Sequence, residues 1–413
     1  MTAVSDQIAA PTGWPDVARV PSARASAAVA RLLLRRVAAR LPLRVVLPDG
    51  SGFGDPSGPR LLLRRPAAFY HRVGAGGLIG FGEAYQAGDF DSNDLAGLMT
   101  VMASSVDTIV PPSLQWLRRA YVRAMPAAED NSVTGAARNI SRHYDLSNDL
   151  FALFLDETMT YSAAMFDNDH PQWNELAGAQ RRKIDRLLDG ARVGAGTRLL
   201  EIGTGWGELA VRAAERGATV DSITLSQRQA EYAADHVARR GLSESVHIEL
   251  RDYRELRGAE KYDAIISVEM IEAVGQRYWP RYFAALRRLL VPGGRVGLQA
   301  ITMRHDRMMA ARDTYTWIHK YIFPGGLIPS RRVIERHAAP QRLLVRDHHA
   351  FGGDYVQTLR LWRERFASHT GQLESLGFDE TFRRTWEFYL AYSQGGFAAG
   401  YLDVEQFVLE RTP

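Results

Sequence analysis

Short apolar runs alternate with amphipathic stretches through the C-terminal two thirds of the chain. The apolar runs predict strands over 198–203, 218–224, 246–250, 263–268 and 295–301. Helical segments lie between them, notably Gln227–Arg240 and Tyr278–Leu290. Strands alternating with helices at this spacing predict an α/β fold with a doubly wound, mostly parallel sheet. Pro292-Gly293-Gly294 reads as a tight turn ahead of the 295–301 strand. A long insertion comes next, about 303–345. Two further β-type stretches, Leu343–Asp347 and Val404–Leu409, flank a helical segment, and no internal repeat is visible.

The N-terminal part has a different pattern. Residues 1–24, rich in Ala, Pro, Ser and Thr, read as a flexible lead-in. Residues 25–105 carry short apolar runs, Leu43–Leu47 and Leu61–Leu63, split by Gly- and Pro-rich turns, which predicts a small α+β domain. Residues 106–140 read as a helical connector, and 141–413 as the α/β domain. Within the first domain, Ala27–Leu43 is helix-like, with Val29, Leu32, Leu33, Val37 and Leu41 near one face and Arg31, Arg35, Arg36 and Arg40 interleaved. Two readings stay open for it: a helix docked on its own domain, or one lying in a membrane interface. Charge interrupts it too often for a bilayer span.

Charge favours a surface partner. Residues 1–75 hold eleven arginines against four aspartates, a balance of +7, whereas the whole chain carries +4. A basic N-terminal segment suits an anionic membrane surface or nucleic acid. No Asn/Asp-Pro-Pro-aromatic tetrad is present, which argues against nucleic-acid methylation. The chain has no cysteine, so disulfides, thiolate metal sites and cysteine nucleophiles are excluded. No metal-ligand cluster is expected; His348-His349 reads as a solvated pair.

The chemistry concentrates where the first α/β strand ends. Residues 198–210 read Arg-Leu-Leu-Glu-Ile-Gly-Thr-Gly-Trp-Gly-Glu-Leu-Ala. Gly203, Gly205 and Gly207 allow positive φ and a close approach of main chain to ligand. A helix N-terminus comes directly after. Glu201 precedes the turn, and no phosphate-cradling Gly-Lys-Ser/Thr is present beyond it. Together these favour an adenosyl ligand without phosphate, S-adenosylmethionine. After the second strand, Thr224, Ser226 and Gln229 offer hydroxyl and amide groups to a ribose, although Ser226 is equally a simple helix cap. The usual acidic residue is missing from that strand tip, with Asp221 nearby. After the third strand, Asp252 is placed to accept from an adenine amino group and Tyr253 to stack on the ring. Alternatively Asp252 satisfies its own loop backbone.

At this point the chain resembles a family. His143-Tyr144-Asp145-Leu146-Ser147-Asn148, continuing to Met159-Thr160-Tyr161-Ser162, is similar to the opening segment of cyclopropane-fatty-acyl-phospholipid synthases and mycolic acid methyltransferases. The resemblance continues through Gly203–Gly207, Thr224–Gln229, Asp252-Tyr253-Arg254, Ser267–Gly275, Tyr321–Gly326, Asp354-Tyr355 and Phe388-Tyr389-Leu390. Gly80–Tyr85 also resembles the N-terminal lipid-binding domain of the phospholipid-acting branch. The family implies a class I S-adenosylmethionine-dependent methyltransferase fold: Rossmann-like, seven-stranded and mostly parallel, with a smaller N-terminal α+β lipid-binding domain. It also implies a homodimer, and contact with the inner face of the membrane, where a phospholipid with an unsaturated acyl chain is methylated. The product is expected to be methylene-branched, with a separate reductase completing a methyl branch; a cyclopropane is the alternative. A methyltransferase for a soluble molecule and a non-catalytic lipid-binding protein are the competing readings.

In the cyclopropane synthases a bound bicarbonate removes the proton, held by a glutamate, a histidine, a tyrosine and the backbone beside a cysteine. By resemblance the glutamate is Glu272 and the tyrosine Tyr355. The histidine position is Gln299 and the cysteine position Ala163; a second family cysteine is replaced by Ser393. Family members commonly carry Gly where this chain has Glu269. Two carboxylates three residues apart repel, so one pKa should rise. Glu269 is therefore expected to supply what bicarbonate supplies elsewhere; the opposing reading keeps bicarbonate, bound through Gln299 and the Ala163 backbone. Tyr161, Phe323, Tyr355 and Tyr389 are expected to offer ring faces to a cation. Trp206 joins the cofactor set, and Phe323, Pro324, Gly325 and Tyr389 are expected to bind substrate.

Overall fold

The computed structural model describes residues 13–105, 126, 129–132, 135–136, 138–139 and 147–413. The connector predicted over 106–140 lies largely outside these residues, as does His143-Tyr144-Asp145-Leu146. The chain divides into two compact units. One comprises residues 1–122 with 362–399, the other 123–361 with 400–413. The sequence boundaries place 362–399 with the C-terminal domain. The contacts group it with the first unit, an association between distant segments that local pattern does not reveal.

In the first unit four short strands, β1 (Arg44–Val46), β2 (Gly52–Gly54), β3 (Arg60–Leu63) and β4 (Phe90–Ser92), pair in the order β2-β1-β3-β4. The helix Pro66–Gln86 kinks at Gly77, whose φ of 55° a side chain resists. Arg72 is 2% exposed and is neutralised by Asp89 at 2.9 Å; its guanidinium also donates to the carbonyls of Asp16, Val17 and Arg19. That ties the short helix Pro15–Ala18 to the unit.

The helix Arg24–Ala38 starts earlier and stops sooner than its pattern suggests. It buries Ala27, Ala30 and Ala38, while Val29, Leu32 and Leu33 are 55%, 52% and 50% exposed. The small residues face inward because the neighbouring helix comes close: a Cβ on Gly74 would lie 2.6 Å from the Ser26 carbonyl carbon.

In the second unit, β5 (Arg198–Ile202), β6 (Thr219–Thr224), β7 (Val246–Leu250), β8 (Tyr262–Val268), β9 (Leu290–Met303), β10 (Leu343–Ala350) and β11 (Leu402–Arg411) form one sheet. Its order is β10-β11-β9-β8-β5-β6-β7. β5 to β9 run parallel, and β11 joins β9 and β10 antiparallel. This is the expected seven-stranded arrangement. Pro292-Gly293-Gly294, read as a turn, lies within β9, and the register shifts there between Tyr262 and Ala264. Residues 291–294 have no register partner on β8 or β11 and Gly293 has φ 76°, so the turn is kept as a bulge within the strand.

Side chains alternate between two apolar layers, as a strand period of two requires. Leu200, Ile265, Leu298 and Phe407 face the layer that contains the helix Trp279–Leu289. Leu199, Ala264 and Ile266 face the layer of helices Leu176–Gly190 and Glu208–Glu215. A Cβ on Gly297 would sit 2.6 Å from Ile266 Cδ1 and 3.3 Å from a Leu187 methyl. Gly297→Val should therefore lower stability by about 1–3 kcal/mol, the usual cost of overpacking. Chemical denaturation of the purified variant checks this.

Candidate active site

The turn after β5 is built for close approach. Gly203, Gly205 and Gly207 have φ of 100°, 54° and 96°. A Cβ on Gly205 would meet nothing within 4 Å, and one on Gly203 would meet only Met270 at 3.8 Å, so open space lies over the turn. The cavity there is lined by Tyr161, Ser162, Glu201, Trp206, Thr224, Gln229, Asp252, Tyr253 and Glu269. Acidic groups on three separate strand ends suit a cationic ligand, and the glycine cradle suits an adenosyl group. The residues thus fit S-adenosylmethionine.

Each predicted binding residue has a definite local role. Thr224 Oγ1 donates to Gln229 Oε1 at 2.9 Å, which leaves the Gln229 amide N–H groups as the donors at that end of the cavity. Ser226 accepts from the Gln229 backbone N–H and caps the helix Gln227–Arg239. It is absent from the cavity lining, so the capping alternative is the one realised. Asp252 accepts from the Arg254 backbone N–H at 2.8 Å and is clamped by the Arg254 guanidinium. Asp221 accepts from Lys261 and Tyr262, both at 2.7 Å, and is also absent from the lining. Tyr253 is 7% exposed and its hydroxyl has no hydrogen-bond partner, a polar group awaiting one. Trp206 donates from its indole to Asn148 Oδ1 at 2.9 Å and packs on Phe151. Tyr161 packs edge-on against Phe151.

Glu201, at the end of β5, accepts from Ser222 Oγ. Burial drives its carboxyl up to about 8.

The second cluster lies where β8 ends. Glu269 adopts φ 48°, a left-handed backbone that glycine takes freely and a glutamate takes at a cost. That explains why a glycine suits this position. Glu269 Oε1 accepts from the Ala163 backbone N–H at 2.9 Å and from Gln299 Nε2 at 2.7 Å. Its Oε2 accepts from the Tyr355 hydroxyl at 2.8 Å. The Glu269 backbone N–H donates to the Gln299 carbonyl at 2.8 Å. Three groups named from the sequence thus meet around one carboxylate.

Glu272 stands beside it. Its Oε1 accepts from the Ile301 backbone N–H, and its Oε2 is buried without a partner. Burial, then the charge of Glu269, lifts the Glu272 carboxyl to about 8. Glu269 is also raised by burial, but Lys183, the Ala163 N–H, Gln299 and Tyr355 oppose that rise. At neutral pH Glu272 is therefore mostly neutral, whereas three donors and Lys183 favour the charged form of Glu269 against its burial.

The sequence reading missed Lys183. It is fully buried, donates to Ser162 Oγ at 2.6 Å and lines the cavity. Burial lowers its ammonium to about 8, with Glu269 and Asp156 pulling the other way. A signal was present: Lys183 is one of three lysines in the chain and lies on the apolar stripe of its helix with Ile184 and Leu187.

Other expectations are placed elsewhere. Phe323, Pro324 and Gly325 are absent from the cavity lining. Asn131 Nδ2 donates to the Gly325 carbonyl at 2.8 Å, and Leu327 N–H donates to the Glu272 carbonyl at 2.8 Å. The segment therefore buttresses Glu272 from behind. Tyr389 belongs to the first unit, where it packs edge-on against Trp386. His348 is partly buried, pairs with Glu405 and packs on Phe407, so it is not the solvated residue its neighbourhood suggested.

A seven-stranded α/β sheet with this glycine cradle defines an S-adenosylmethionine-dependent methyltransferase. Residues 131–407 match the family described as mycolic acid cyclopropane synthetase. The chain is 55% identical to tuberculostearic acid methyltransferase UfaA1 of Mycobacterium tuberculosis, over 96% of this chain and 95% of that one. It is 32% identical to the cyclopropane-fatty-acyl-phospholipid synthase of Escherichia coli, over 83% and 86% of the two chains. The crystal structure of mycolic acid cyclopropane synthase CmaA1 complexed with SAH and CTAB is similar, with a TM-score of 0.61, 32% identity, and 66% and 98% coverage. The chain belongs to the mycolic acid cyclopropane synthetase family.

Raising pH from 7 to 9 should ionise Glu272. Glu201 titrates in the same range, so difference infrared spectroscopy should show loss of protonated-carboxyl absorption from both groups, and Glu272→Gln should lack the Glu272 share of it.

Proposed function

We propose that this enzyme methylates the double bond of an unsaturated acyl chain in a membrane phospholipid and releases a methylene-branched product. The observation that carries the reading is the Glu269 carboxylate, held by the Ala163 N–H, Gln299 and Tyr355. By the family resemblance these are the groups that would hold a bicarbonate. All three face Glu269, so the donors for a separate anion are already engaged. Glu269 is the general base in this reading, and no step passes through bicarbonate.

S-adenosylmethionine, when bound over the Gly203–Gly207 turn, supplies an electrophilic methyl group to the olefin. The chain's own residues govern the fate of the resulting cation. A new carbon–carbon bond leaves a cation on the neighbouring acyl carbon. A 1,2-hydride shift moves that cation onto the methylated carbon. Glu269 then takes a proton from the new methyl group, and its C–H electron pair closes the exocyclic double bond. Lys183 and Tyr355 stabilise the anionic base beforehand, and buried Glu272 stays neutral and adds no second charge. Proton loss before the shift would close a cyclopropane instead. The name of the 55%-identical relative, a tuberculostearic acid methyltransferase, supports methylene over cyclopropane.

A membrane partner is supported by the helix Arg24–Ala38. Its exposed face carries Val29, Leu32 and Leu33, with Arg31, Arg35 and Arg36 exposed beside them. Apolar side chains ringed by arginine suit the interface of an anionic bilayer. None of the described helices is long and apolar enough to cross a membrane.

Three outcomes are expected. Glu269→Gln should lower turnover on oleoyl phosphatidylglycerol by about 10³-fold, in the range of lost general-base catalysis, with cofactor affinity kept. Full activity in that variant would remove the proposal. Glu269→Gly should be rescued in part by added bicarbonate or formate, because it empties the slot and glycine accepts the left-handed backbone. Proton NMR of the wild-type product should show vinylidene signals; high-field cyclopropane signals would establish the alternative. Separately, Leu32→Glu with Leu33→Glu should weaken sedimentation with anionic liposomes by roughly tenfold or more, from lost apolar burial.

A further inference from the structure

Two polar side chains outside the proposed catalytic set continue from Gln299 across the sheet. Gln406 on β11 is the register partner of Gln299 on β9. Both are fully buried, on the face of the sheet covered by the helix Leu176–Gly190. Gln406 Nε2 donates to Gln299 Oε1 at 3.0 Å and to the Lys183 carbonyl at 3.0 Å. Gln406 Oε1 accepts from Arg186 Nη1 at 3.0 Å. Arg186 is itself held by Asp347, 2.6 Å from Nη2. The series ends at Gln299 Nε2, which donates to Glu269.

The series has one direction. A guanidinium can only donate, so Arg186 requires the oxygen of the Gln406 amide. That turns the Gln406 nitrogen toward Gln299, which must answer with its oxygen. The Gln299 nitrogen is then the atom left for Glu269. Reversing any one amide would place two oxygens or two N–H groups face to face in a buried site, where an unmade hydrogen bond costs most.

We propose that Arg186 and Gln406 are positioning residues that lock the Gln299 amide so that it donates to Glu269, which fixes the base in its anionic, correctly aimed form. The proposal rests on the reading of Glu269 as the base. It assigns a function to a residue 107 positions from Gln299 in sequence and to an arginine that reaches the surface. A neutral amide suits this role where a histidine would not. Histidine would change its own charge in the working pH range, whereas the amide donates at every pH. Lys183, Glu272 and Tyr355 also act on Glu269, and Asp347 and His349 lie around Arg186. None of these substitutes for the amide's direction.

The test compares Gln406→Leu, Gln406→Glu and Glu269→Gln in one assay, with S-adenosylmethionine and oleoyl phosphatidylglycerol liposomes. Gln406→Leu frees the Gln299 amide to rotate and should lower kcat about tenfold. Gln406→Glu offers Gln299 only acceptors, so the amide reverses and presents its oxygen to Glu269. Its kcat at pH 7 should fall about 100-fold. Losing the donated hydrogen bond raises the pKa of Glu269, so the acid limb of the rate profile should move to higher pH and activity should recover in part as pH rises. Cofactor affinity should stay close to wild type in Gln406→Leu, while its thermal midpoint drops by a few degrees because the buried Gln299 oxygen and the Lys183 carbonyl lose their donor.

The proposal is overturned if both Gln406 variants keep the wild-type kcat and pH profile while Glu269→Gln is inactive; the base reading then survives alone. It is also overturned if kcat falls only in step with cofactor affinity and thermal midpoint, with no movement of the acid limb. An active Glu269→Gln overturns the base reading and the proposal together.

Discussion

The site depends on one buried group, the Glu269 carboxyl. It combines a left-handed backbone with burial that raises its pKa. Either would be costly alone. Three donors and a buried ammonium offset the cost: the Ala163 N–H, the Gln299 amide, the Tyr355 hydroxyl and the charge of Lys183. A strained backbone at a functional position is expected only where its surroundings over-determine it. Here β8, β9, the segment at Ala163 and the helix carrying Tyr355 each contribute one constraint.

This arrangement changes the electrostatics of the whole site. A freely exchanging anion would bring its own charge with each binding event. A carboxyl group fixed to the chain stays beside the cavity in every turnover, and after burial, the larger cause, its charge helps to raise the neighbouring Glu272 to about 8. The acidic lining then suits a cationic cofactor and a cationic intermediate on the acyl chain. The first unit contributes a different physical device, a helix with alanines inward and leucines outward. Nothing in the chemistry of the second unit requires that inversion; the proposed membrane contact would use it.

Much of the α/β unit was legible in the sequence. Its strands are short apolar runs of local origin, and the glycine turn needs only its own residues to be recognised. The pairing of Glu269 with Glu272 was legible because both sit on one strand end. Other features were not, for physical reasons. Ser226 and Asp252 carry polar groups that serve either a ligand or the local backbone, and only geometry shows that the helix cap uses Ser226 while Asp252, held by Arg254, also lines the cavity. The Gln406–Gln299 contact depends on antiparallel register between strands far apart in sequence, which no local pattern encodes. Lys183 lies on the apolar stripe of its helix, but which groups that buried face meets depends on tertiary packing. Residues 362–399 read as part of the C-terminal domain because their grouping with the first unit is a long-range contact.

The central claim is that the chain carries its own base. The most direct measurement is the initial methylation rate of the unmodified enzyme in buffer stripped of carbon dioxide, compared with the rate after bicarbonate is restored. Equal rates are expected, because Glu269 already occupies the three donors. A rate that collapses without bicarbonate and rises in saturable fashion with its addition would contradict the claim.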